Sequence, residues 1–133
     1  MEIDITRIVQ AFDRLAWQVE TVVVEGAGGV LVPLGPSRDA ADLAVRLALP
    51  VILVVGMRLG CLNHALLTCE AIRSRNLYLA GWVANRIDPD MANFEENVET
   101  LRQRIGTSPL AVVPHLAAPD PAVLALQMLG PPA

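Results

Sequence analysis

The segment Val51-Ile52-Leu53-Val54-Val55 stands between Pro50 and Gly56. It is too short for a helix, and it lacks the polar alternation of a strand with one wet face. It therefore reads as a strand covered on both sides, as in parallel sheets flanked by helices. Other stretches follow the same rhythm. Thr21-Val22-Val23-Val24 reads as a β-branched strand stopped by Glu25 and a glycine turn, and Val30-Leu31-Val32 is a second short apolar stretch ending at Pro33. Further strands are expected over residues 78–84 and 110–113.

Helical patterns fill the gaps. Ile5, Ile8, Val9, Phe12, Leu15 and Ala16 recur at helical spacing behind Asp4, a suitable N-cap, and the helix should end near Gln18. Residues 39–49 form a second helix capped by Asp39 or Ser37, and residues 62–75 a third. Asp90 is expected to cap a fourth helix, with Phe94, Val98, Leu101 and Ile105 as its buried face. Glu95 and Glu96 fit its first turn, and Gly106 its end. A last helix is expected over residues 121–129. Strands separated by such crossovers pair in parallel, so the predicted fold is an open, doubly wound, mainly parallel α/β sheet, one domain over residues 1–133.

Composition narrows the function. The chain of 133 residues is 53% hydrophobic and 18% charged, below the roughly 25% charged of average domains. A net charge of −4 gives no electrostatic reason to expect nucleic acid or an anionic membrane as partner. The longest apolar run, residues 49–55, falls far short of the about 20 residues that span a bilayer. The start lacks the basic region of a secretory signal, so a cytoplasmic location is expected. Cys61 and Cys69 read as reduced, small core residues. All ten basic residues are arginine, so the sequence holds no lysine to reach a nucleotide's phosphates.

Ligands of such sheets sit outside the carboxyl ends of the strands. At one tip, Glu25 would place a carboxylate at the end of an apolar strand, beside glycines that let backbone N–H groups approach an anion. A magnesium ion with bound phosphate would compensate that carboxylate, although an ordinary turn with a solvated Glu fits the same residues. At a second tip, Gly60 leads into a helix whose first N–H groups belong to Cys61, Leu62 and Asn63, a ready anion site. A plain loop with Asn63 as cap is the alternative there, and His64 reads as structural. The third tip is Asn85-Arg86, where the Asn85 amide can read a ligand's edge or simply serve a turn before Asp88-Pro89. The fourth is Pro114-His115, with no acidic or nucleophilic partner nearby in sequence.

Taken together, Val23-Val24-Glu25-Gly26-Ala27-Gly28-Gly29, Leu49-Pro50-Val51-Ile52-Leu53-Val54-Val55-Gly56, Leu59-Gly60-Cys61-Leu62-Asn63-His64-Ala65 and Ala80-Gly81-Trp82-Val83-Ala84-Asn85 resemble the dethiobiotin synthetases. The resemblance runs from about residue 5 to the end. It implies a P-loop NTPase type of sheet, incomplete on its N-terminal side, and a homodimeric ligase of biotin synthesis. That family closes a ureido ring from diaminopelargonic acid and CO2, using ATP and magnesium. Glu25 matches the family's metal-binding acid. Gly26, Ala27, Gly28 and Gly29 match the turn that lines the phosphates and substrate. The backbone at Cys61, Leu62 and Asn63 matches the helix start that holds the substrate carboxylate across the dimer interface. Asn85 matches the adenine reader, and Pro114, His115 and Leu116 the stretch bordering the nucleotide.

The departure from the family concerns its opening strand and Gly-x-x-x-x-Gly-Lys-Thr loop, neither of which this sequence contains. Phosphoryl transfer depends on that lysine and the loop's N–H groups. The expectation is thus the C-terminal part of a longer enzyme, incomplete and inactive alone, with exposed apolar strand surfaces that invite self-association. The competing reading is a non-catalytic carboxylate-binding or dimerisation remnant of the same fold. A weaker one, a partitioning-type ATPase or cobyrinic acid amidase relative, sits poorly with Gly60-Cys61-Leu62-Asn63-His64.

Overall fold

The computed structural model describes residues 3–118, 120 and 121. The chain divides into two compact units, residues 1–51 with 68–78, and residues 52–67 with 79–133.

The first unit begins with α1 (Ile5–Ala16), whose N-terminus is closed by Asp4: its carboxylate accepts from the Thr6 and Arg7 N–H groups. Ile5 is buried, and α1 packs on α2 (Ala40–Leu47). Between the helices, Leu34 N–H donates to Arg38 and Ala40 N–H to Val32, and Pro33 forms an isolated antiparallel bridge with Asp39. Asp39 is the cap of α2, as its sequence position predicts, in a reciprocal capping box with Asp42. Ala48 ends the helix in a left-handed turn ahead of Pro50.

The expected strand at residues 21–24 does not form. A β-branched run favours a pleated surface only where a neighbouring strand and a covering layer are present. Here the segment pairs with nothing described, and Val23 and Val24 stay exposed.

The second unit holds β1 (Val51–Met57, entering from the first unit), β2 (Leu79–Arg86) and β3 (Ala111–Val113), in the order β1-β2-β3. β2 and β3 run parallel, with Val83, Ala84 and Asn85 opposite Ala111, Val112 and Val113. α3 (Cys61–Ser74) starts in this unit and finishes in the first. α4 (Phe94–Ile105) connects β2 to β3, so the expected α/β alternation and open sheet are observed. β1, however, is not covered on both sides as expected: no described layer lies over Ile52 and Val54, which stay exposed. Trp82, fully buried, anchors the sheet: its indole N–H donates to the Thr107 carbonyl, and its own carbonyl accepts from Leu110. Phe94, Leu101 and Ile105 are the buried face of α4, with Val98 half-covered.

The cap of α4 differs from expectation. Asn93, in a left-handed conformation, precedes the helix and makes no side-chain cap bond. Asp88 intervenes: its carboxylate accepts from the Asp90 N–H, which folds Asp90 into a turn before the helix begins. Cys61 and Cys69 are buried free thiols, as expected of core residues. Burial pushes the Cys69 thiol up, with Arg73 opposing and Glu70 adding to it, so it stays protonated and inert. The helix expected over residues 121–129 lies outside the described residues, apart from Pro121.

Candidate nucleotide and carboxylate site

In the second unit, three of the expected tips share one edge of the sheet. β2 runs through Asn85 to Arg86, and the parallel register sets Asn85 beside Val113. The Pro114-His115-Leu116 segment leaves β3 immediately after that pair, so it starts next to Asn85. The turn after β2 is tied back to β1, because the Asp88 N–H donates to the Met57 carbonyl at 3.4 Å. Pro114 and His115 are exposed, while Asn85 and Leu116 are half-buried. Among the described residues no side chain bonds to the Asn85 amide, which leaves its two donors and its acceptor available to a ligand.

The turn from β1 into α3 uses Gly60 at a φ of 92°, a conformation that costs a side chain dearly. The Cys61 N–H donates to the Arg58 carbonyl and the His64 N–H to the Gly60 carbonyl, the first bond of the helix. The Leu62 and Asn63 N–H groups find no acceptor among the described residues. They are the orphan donors at the positive end of a 14-residue helix, suited to an anion. Of the expected N–H donors, Cys61 is therefore already used in its own turn, and its side chain points into the core.

Glu25, Gly26 and Gly28 belong to the first unit. Glu25 is exposed in an irregular segment, and Gly28 takes a left-handed φ of 84° against Val32. Among the described residues no group of three His, Cys, Asp or Glu side chains could hold a metal ion. Glu25 can offer one carboxylate, which suits magnesium only as the ion usually binds nucleotides, through one or two carboxylates plus phosphates and water.

Sequence reading did not assign a role to Arg86. Its guanidinium lies 4.7 Å from the Phe94 ring centroid and donates to the Pro89 carbonyl at 3.0 Å. The only sequence signal was its place after Asn85, since a ring eight positions on announces no contact. No helix among the described residues is long and apolar enough to cross a membrane.

Parallel strands whose carboxyl ends share one side, with a helix N-terminus after the first, make an open α/β sheet consistent with the P-loop NTPase type of domain. In keeping with this, the AAA domain family profile matches residues 1–122, and the chain belongs to that family. Within it, the chain is 59% identical over 131 residues to the ATP-dependent dethiobiotin synthetase BioD of Aromatoleum aromaticum, a match covering 98% of this chain and 58% of that protein. It is 54% identical over 123 residues to the same enzyme of a Janthinobacterium species, covering 92% and 52%. With that of Nitrosospira multiformis it shares 54% over 115 residues, covering 86% and 51%. The resemblance to dethiobiotin synthetases is thereby borne out, and the chain spans little more than half the length of these relatives.

Proposed function

We propose that this chain carries the adenine-reading and substrate-carboxylate parts of a dethiobiotin synthetase, an ATP-dependent ligase of biotin synthesis. The observation that carries the reading is the parallel register setting Asn85 beside the start of the Pro114-His115-Leu116 segment, in a chain 59% identical to such an enzyme. The Asn85 amide matches the donor and acceptor edge of adenine, and the neighbouring segment borders the nucleotide. The Leu62 and Asn63 N–H groups, with the turn at Cys61, hold the carboxylate of diaminopelargonic acid. Gly26 and Gly28 let backbone approach phosphate and substrate. Glu25 supplies one ligand to magnesium, which when bound neutralises phosphate charge.

In the reaction, one amine of diaminopelargonic acid adds to CO2 as a carbamate. ATP phosphorylates the carbamate and leaves as ADP. The second amine then attacks the carbonyl carbon and expels phosphate, closing the ureido ring. What these residues contribute is orientation, which converts an encounter of separate reactants into an intramolecular step. The charge that phosphoryl transfer needs must come from a loop with a lysine, and no lysine is present here. The resemblance further suggests a cytoplasmic homodimer, in which this chain would need a phosphate loop that its 133 residues do not contain.

The absence of lysine favours a second reading for the chain by itself, a binding or dimerisation remnant without ATP chemistry. Titration calorimetry with ADP tests the first. The chain should bind ADP in preference to GDP, and Asn85→Ala should weaken ADP about tenfold, roughly 1.4 kcal/mol. Equal binding of ADP by both proteins would overturn the role of Asn85.

A further inference from the structure

We infer that Arg86 is a positioning residue for Asn85, a strut that fixes the amide at the tip of β2. The inference rests on the nucleotide reading for its purpose, but the contacts stand independently. Asn85 has no side-chain partner among the described residues, so its amide is aimed by the backbone alone. That backbone ends its strand one residue later, and the last ladder partner, Val113, is also the last residue of its strand. Beyond them the chain turns through Asp88-Pro89 into α4.

Arg86 spans that turn. Its side chain reaches forward over the ring of Phe94, the buried first residue of α4, and grips the Pro89 carbonyl within the turn. Its contacts are thus an aromatic face and a backbone carbonyl. Its Nε is the one buried side-chain polar atom of the described residues with no hydrogen-bond partner. An arginine recruited for charge neutralisation would be paired there. This one is held by a ring face and a carbonyl, which suits a rigid planar brace whose guanidinium stacks on aromatics. Lysine at this place could keep the cation over the ring but not the plane.

Nitrogen-15 relaxation of the full chain, read at the Asn85 backbone and side-chain amides, tests the strut. Arg86→Ala should raise the mobility of both signals and weaken ADP about tenfold, while Arg86→Lys recovers part of each. Phe94→Leu, which keeps an apolar side chain in the core, should loosen Asn85 in the same way and guards against a misfolded alanine variant. Asn85 signals as ordered in all three variants as in the parent would overturn the inference. If the signals loosen but the parent chain binds no ADP, the nucleotide reading fails and the strut stands.

Discussion

Arg75 Nη2 donates to the Asp39 carboxylate at 2.7 Å across 36 positions of sequence, while its Nη1 reaches Asp42 at 2.6 Å. One guanidinium thus closes over both members of the capping box that starts α2. Desolvation pushes the Asp39 carboxyl up, but the Asp42 N–H and the Arg75 guanidinium outweigh it and hold it below its usual value of 3.8. A carboxyl depressed in the folded state stabilises above its unfolded value, and the effect fades as pH falls through the folded one. Arg75→Gln should therefore lower the unfolding temperature at neutral pH, and the gap to the parent should close in acid below about 3.8. A gap independent of pH would contradict this role.

Glu99 makes an instructive contrast. The Arg102 and Gln103 donors hold its carboxyl down to about 2, so the linked stability spans pH 4.5 to 2. Both Glu99 and Arg102 are half-exposed on α4, where water and salt screen the pair. Glu99→Gln should barely change neutral-pH stability in 0.5 M salt. A large loss under that screening, measured by thermal melting, would show the pair to matter more than its exposure allows.

Leu101 is fully buried at the centre of the α4 face. Its truncation to alanine removes packing and leaves a cavity, at about 2–5 kcal/mol. Urea unfolding monitored by circular dichroism should report a loss in that range; a loss below about 1 kcal/mol would mean the face is not core.

A substitution at Gly60 tests whether the two proposed ligand functions are separate. Alanine there must adopt a left-handed backbone at about 1–2 kcal/mol, which disturbs the start of α3 and its Leu62 and Asn63 donors. Gly60→Ala should weaken diaminopelargonic acid binding and leave ADP binding unchanged. Equal weakening of both ligands would tie the turn to the nucleotide instead.

β1 lies at the edge of the described sheet, and Ile52 and Val54 on it are 56% and 59% exposed. Unpaired apolar edges seek partners. Light scattering at rising concentration should find the chain self-associating, and Ile52→Lys should reduce this. A monomer at all concentrations would contradict the expectation.

Much of the fold was legible because local signals and tertiary contacts agree. Asp4 and Asp39 cap the helices that they precede, and the bounded run from Val51 forms a strand. Two readings failed where they do not agree. Val22 to Val24 carry strand propensity but have no described ladder to join, and propensity alone does not order an edge. Asp90 has the right side chain for a cap, yet Asp88 holds it in a turn first. The Arg75 clamp and the Arg86 brace were not legible, because each joins residues whose nearness the fold creates. At the candidate site, the spacing of Asn85 and Pro114 gave the tips, and only the strand register gave their adjacency.

The most direct measurement is dethiobiotin formation from diaminopelargonic acid, bicarbonate, ATP and magnesium. The account predicts no product with the 133-residue chain alone and product once a polypeptide bearing the Gly-Lys-Thr loop half is added. Turnover by the chain alone, or none after that addition, would contradict it.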